Sequence, residues 1–100
     1  MVTIQFELNE NSIKRSGYTK RDVENYLNKF FVVKRKCKEV SYLTYQRDDK
    51  NAMCNIGDII PIMGENPQMM DLFSKCIWNV DGTVEDLITI VKKCIKKYGT

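Results

Sequence analysis

The sequence predicts an α+β fold: a two-layer sandwich with an antiparallel sheet and helices on one face. Three observations predict it. The chain opens on a strict period-two run, two later segments begin with capping boxes and continue at helical spacing, and strand-forming runs lie between polar turns. One hundred residues make one small core, so the reading is a single domain over residues 1–100.

Val2, Ile4, Phe6 and Leu8 alternate with Thr3, Gln5 and Glu7, which is the pattern of a strand with one buried face. Residues 9–17 form a polar connection with room for one helical turn around Ile13. Thr19-Lys20-Arg21-Asp22 reads as a capping box, and Val23, Tyr26, Leu27, Phe30 and Phe31 follow at helical spacing. Residues 34–38 hold the densest charge run and read as a connection. Val40 to Gln46 is rich in strand formers, Arg47 to Asn51 is a polar hairpin loop, and Ala52 to Ile62 reads as a second long strand bent at Gly57-Asp58. Pro61 places the end of that strand at an edge or an exit.

Asn66-Pro67 starts a helix whose stripe is Met69, Leu72, Phe73, Cys76 and Ile77, followed by a short strand over Ile77–Val80. Thr83-Val84-Glu85-Asp86 is a second capping box opening a helix on Val84, Leu87, Ile88, Val91, Cys94, Ile95 and Tyr98, with Gly99 as its stop. With the Ile77–Val80 strand the order is βαββαβ plus a C-terminal helix, the ferredoxin-like arrangement; without it the sheet has three strands. The expected core takes Ile4, Phe6, Leu27, Phe30, Leu72, Phe73, Leu87, Ile88, Val91 and Ile95.

Composition excludes several function classes. Hydrophobic residues are 43% and charged residues 29% of the chain, which is globular rather than disordered. No apolar run reaches the length of a membrane span, no export signal opens the chain, and the expected compartment is the cytoplasm, without a membrane partner. Twelve Lys, eight Asn and ten Ile against one Ala follow AT-rich codon use, which points to a bacterium, a phage or a mobile element. Histidine is absent, and with it the commonest general base and metal ligand. Cys37, Cys54, Cys76 and Cys94 lack the close pairing of a zinc site and read as reduced packing residues, so neither metal nor cofactor is expected.

Three functions remain, in order. The first is a non-enzymatic protein-binding module, such as an adaptor, inhibitor or regulator, acting on a protein partner or as a homodimer. Its expected surface is Ile59, Ile60, Met63, Met69, Met70 and Trp78, because Trp and Met favour interface centres and a Pro-ended strand leaves an unpaired edge. The second is backbone-directed nucleic-acid binding through Lys34, Arg35, Lys36 and Lys38, with Lys92, Lys93, Lys96 and Lys97 as a second cluster. A net charge of +3 is mild for that role, and the second cluster is also accounted for by the dipole of its helix. The third is a His-free nuclease built on Lys, Arg, Glu and Tyr; Asp48, Asp49 and Asp58, near a hairpin, are the carboxylates a magnesium ion would need, but they read as ordinary loop residues.

Overall fold

The computed structural model describes the backbone of residues 1–98 and the side chains of residues 1–93. Five strands form one open sheet: β1 (Val2–Leu8), β2 (Lys38–Ser41), β3 (Thr44–Arg47), β4 (Phe73–Val80) and β5 (Thr83–Asp86). Their order is β2-β3-β1-β4-β5, and every neighbouring pair is antiparallel. β1 and β2 therefore run parallel with β3 between them, and β3 and β4 run parallel with β1 between them. Those are the two split βαβ units of the ferredoxin-like arrangement, extended at one edge by β5. The helices are α1 (Glu10–Ser16), α2 (Lys20–Asn28), α3 (Ala52–Gly57), α4 (Ile59–Glu65), α5 (Pro67–Met70) and α6 (Leu87–Tyr98).

β1 behaves as its alternation demands: Val2, Ile4 and Phe6 are buried, while Gln5 and Glu7 face solvent. Asn9 caps α1 by accepting from the Ser12 amide at 3.2 Å, and Gly17 ends it at φ +86°, in the left-handed region. The polar connection thus holds two helical turns rather than one. The Thr19 capping box forms as expected, with Thr19 Oγ1 accepting from the Asp22 amide at 3.1 Å and Asp22 accepting from the Thr19 amide at 2.9 Å. α2 then widens into a π-helical turn, Lys29–Lys34, closed by the Arg35 amide donating to the Phe30 carbonyl at 3.1 Å. The wider turn lets two consecutive aromatics, Phe30 and Phe31, both enter the core. There Phe31 stacks on Tyr45 at 4.8 Å and meets Phe6 at 5.6 Å; Phe6 in turn meets Phe73 at 4.9 Å.

Four elements differ from the sequence reading. Val40–Gln46 is not one strand but a hairpin, turning at Tyr42-Leu43 with Leu43 at φ +50°. Ala52–Ile62 is helical, α3 running into α4; Pro61 stands in the first turn of α4, where its missing N–H has no intrahelical partner to lose. The helix begun at Pro67 lasts one turn, and Phe73 to Val80 is a full strand. Thr83–Asp86 is an edge strand, so the expected capping box is absent there. Asp86 instead accepts from the Thr89 amide at 3.3 Å, three residues later than expected.

α3 packs on β1, and α6 packs on α4 and β4. The buried set includes Ile4, Phe6, Leu27, Phe30, Leu72, Phe73, Leu87 and Val91 from the expected core, whereas Ile88 is half-buried. The Ile95 side chain, the rest of the α6 stripe (Cys94, Tyr98) and Gly99 lie outside the described residues.

Candidate functional site

The surface expected to bind a partner does not exist as such. Ile59 and Met63 are fully buried, Met70 is 4% exposed and Trp78 7% exposed. Trp78 lies under α3, its ring 3.5 Å from where a Cβ on Gly57 would stand, and its indole N–H donates to Glu85 at 3.3 Å. These four side chains build the core. Ile60 and Met69 are the half-buried members of the set. No strand edge ends at Pro61, because Pro61 belongs to a helix.

The two real sheet edges are guarded. β2 carries Lys38 and Glu39, with a register shift between Glu39 and Ser41, so a bulge and two charges interrupt it. β5 is four residues long and ends on Glu85 and Asp86. Neither edge invites a partner strand.

What the helical layer does open is a groove of about 700 Å³ between α2 and the α4–α5 segment. Val23 and Tyr26 line one wall and Ile62 and Met69 the other, with Leu72 and Phe73 between them. Ser16, Tyr18, Asp22, Asn66 and Gln68 supply its polar groups. Tyr18 is 58% exposed and Tyr26 44% exposed, and both reach the groove, the Tyr26 ring also stacking on Phe30 at 6.5 Å. Of the expected protein-binding residues only Met69 lines the groove. Tyr18 and Tyr26 escaped the sequence reading because Tyr26 falls on the helical stripe that packs the core and Tyr18 precedes the cap.

A second, polar cleft of about 730 Å³ lies at the C-terminal end of β1, lined among others by Glu7, Glu10, Lys20, Ser41, Tyr42 and Ser74. It holds the side-chain types that a His-free nuclease would draw on. The Tyr42 hydroxyl donates to Glu24, the Lys20 ammonium stands 5.9 Å from the Tyr42 ring, and Lys20 pairs with Glu10 at 3.4 Å. Partial burial and the Glu24 carboxylate push the Tyr42 phenol up to about 12, which keeps it protonated. A general base needs the opposite displacement. The carboxylates considered for magnesium are dispersed: Asp49 pairs with Arg47 at 2.9 Å, Asp58 with Arg35 at 2.9 Å, and Asp48 stands 3.5 Å from the Met1 amino group. Among the described residues no three His, Cys, Asp or Glu side chains gather as a metal site.

The basic clusters are not brought together. Lys34 to Lys38 lie beside and on β2, while Lys92 and Lys93 lie on α6, which packs on β4; β3 and β1 separate β2 from β4. Arg35 is not free for a ligand, being paired with Asp58. The side chains of Lys96 and Lys97 lie outside the described residues. The open face of the sheet presents Thr3, Gln5, Glu7, Thr44, Gln46 and Lys75, without an aromatic platform on which bases could stack. Tyr45 is fully buried on the other face.

Cys37 and Cys76 are buried and Cys54 is exposed, all three as free thiols. No helix among the described residues is long and apolar enough to cross a membrane. Compared with protein-family models, with curated proteins and with solved structures, the chain matches none of them.

Proposed function

We propose that the chain is a non-enzymatic protein-binding module, an adaptor, inhibitor or regulator that works by occupying a partner's surface in the cytoplasm. The groove between α2 and α4–α5 carries this reading. Tyr and Met are the residue types that interfaces favour, and here Tyr18, Tyr26 and Met69 rim a groove whose floor is the buried core residues Leu72 and Phe73. Asp22 is the charged side chain in that lining. The favoured occupant is therefore an apolar segment of a partner protein with a Lys or Arg placed to meet Asp22 and lie across a tyrosine ring. The free thiols suit a reducing compartment.

Site-specific photo-crosslinking in the native host tests the proposal. A photoreactive residue replacing Tyr26 or Met69 is expected to trap one discrete protein, while the same residue at Gln46 on the open sheet face traps none. Adding Asp22→Asn, which removes the charge but keeps an acceptor for the Thr19 amide, to the Tyr26 probe is expected to weaken the adduct. An adduct of the chain with itself would assign the groove to a homodimer. Equal adducts from all three positions, or none from the groove, reject it.

A further inference from the structure

Residues 29–38 carry five basic side chains and no acidic one, and the fold gives this run a shape that its composition does not reveal. Beyond the π-helical turn, alternate residues are fastened and exposed. Arg35 lies with its guanidinium 5.1 Å from the Phe30 ring and 2.9 Å from Asp58. Its carbonyl accepts from Arg47 at 2.6 Å. Cys37 is buried, and its amide donates to the Phe31 carbonyl at 2.8 Å. Between these fixed points Lys36 is held at φ +57°, a left-handed conformation that a side-chain-bearing residue adopts at a cost. Lys34, Lys36 and Lys38 are all exposed, and none of them is in an ion pair among the described residues.

The Arg35 and Cys37 amide bonds close the helical turn, and the left-handed residue after a helix end is commonly Gly; here it is a lysine, and the closure fixes Lys34, Lys36 and Lys38 as three alternate, exposed cations. The matching ligand is a polyanion. The lysines lie along and beside β2, the outermost strand. A line of charges along a strand edge suits a row of phosphates better than the plane of a bilayer. Because the open sheet face has no aromatic platform, the contact is to the backbone of a duplex and not to splayed bases.

We propose that Lys34, Lys36 and Lys38 form a preorganised basic edge that binds the phosphate backbone of duplex nucleic acid without reading its sequence. This site is separate from the groove, and it stands or falls without it.

Fluorescence anisotropy with a short labelled DNA duplex of arbitrary sequence, over a salt series, tests this in the full chain. Binding at low salt is expected, with log affinity falling against log salt at a slope of about −2 to −3, as three phosphate contacts require. Lys34→Glu, Lys36→Glu and Lys38→Glu together should abolish it, and Lys92→Glu with Lys93→Glu should leave it unchanged. Lys36→Asn removes one charge while suiting the left-handed backbone, so it keeps the fold; it should reduce the slope by about one. No binding by the native chain, or an equal loss in the Lys92 and Lys93 variant, overturns the proposal. So does binding to phosphatidylserine vesicles instead of the duplex, lost on Val33→Asp, since Val33 is 60% exposed beside these lysines and a bilayer would take it up.

Discussion

The guanidinium of Arg35 stands 2.9 Å from the carboxylate of Asp58, joining the connection before β2 to the junction of α3 and α4. The two side chains are 33% and 47% exposed, so water screens the pair. Asp58→Ala should therefore cost no more than about 1 kcal/mol in a urea unfolding curve. A larger loss would mean that the junction itself, rather than the ion pair, depends on Asp58.

Tyr45 is fully buried and its hydroxyl donates to Asn28 at 2.5 Å, tying β3 to the end of α2. Tyr45→Phe should destabilise by about 1 kcal/mol, because the Asn28 oxygen loses its partner. Burial, with the Glu39 and Glu24 carboxylates adding to it, holds the phenol well above the ordinary tyrosine range. The folded state then keeps a proton that the unfolded chain releases. Stability from this site is complete below about pH 10 and is lost as pH rises beyond it. Urea midpoints across that range should fall less steeply in Tyr45→Phe than in the native chain; parallel curves would refute the assignment.

Thiol accessibility divides the cysteines. Cys54 is exposed, while burial raises the Cys37 and Cys76 thiols above their ordinary range and shields them. Iodoacetamide under native conditions should label Cys54 first, with Cys37 and Cys76 reacting at the rate of unfolding. Mass spectrometry of tryptic peptides against time reads the order, and early labelling of Cys76 would contradict the packing of β4.

Two glycines should respond oppositely to alanine. Gly17 ends α1 at φ +86° with open space around its Cα, so Gly17→Ala costs about 1–2 kcal/mol through backbone conformation alone. At Gly57 the backbone is helical and a new methyl would meet the Trp78 ring at 3.5 Å, ordinary contact. Gly57→Ala should be neutral or stabilising by up to about 1 kcal/mol. Thermal melts of the two variants check the contrast.

The sequence by itself determined the fold class, β1, the Thr19 cap with its helix, and most of the core. In each case the signal is local: a period of two, or a cap within four residues of the stripe it starts. Tertiary structure decided what local patterns could not express. Phe73 and Cys76, three apart, look helical, yet both face the core from a strand because a bulge at Ser74 shifts the register between Glu7 and Leu8. The β2–β3 turn carries no Gly, Pro or Asn; it bends at Leu43, whose side chain is 1% exposed and whose carbonyl accepts from Phe6 at 3.0 Å, so packing supplies what turn chemistry does not. Ile59-Ile60-Pro61-Ile62 has strand propensity but becomes α4, because Ile59 and Met63 then fall one turn apart on a face that packs against α6. That decision moved the candidate site as well. It took Ile59, Met63 and Trp78 inside and opened the groove beside Tyr18 and Tyr26, since which apolar side chains remain outside depends on how the helices cover the sheet, and no window of sequence contains that distance.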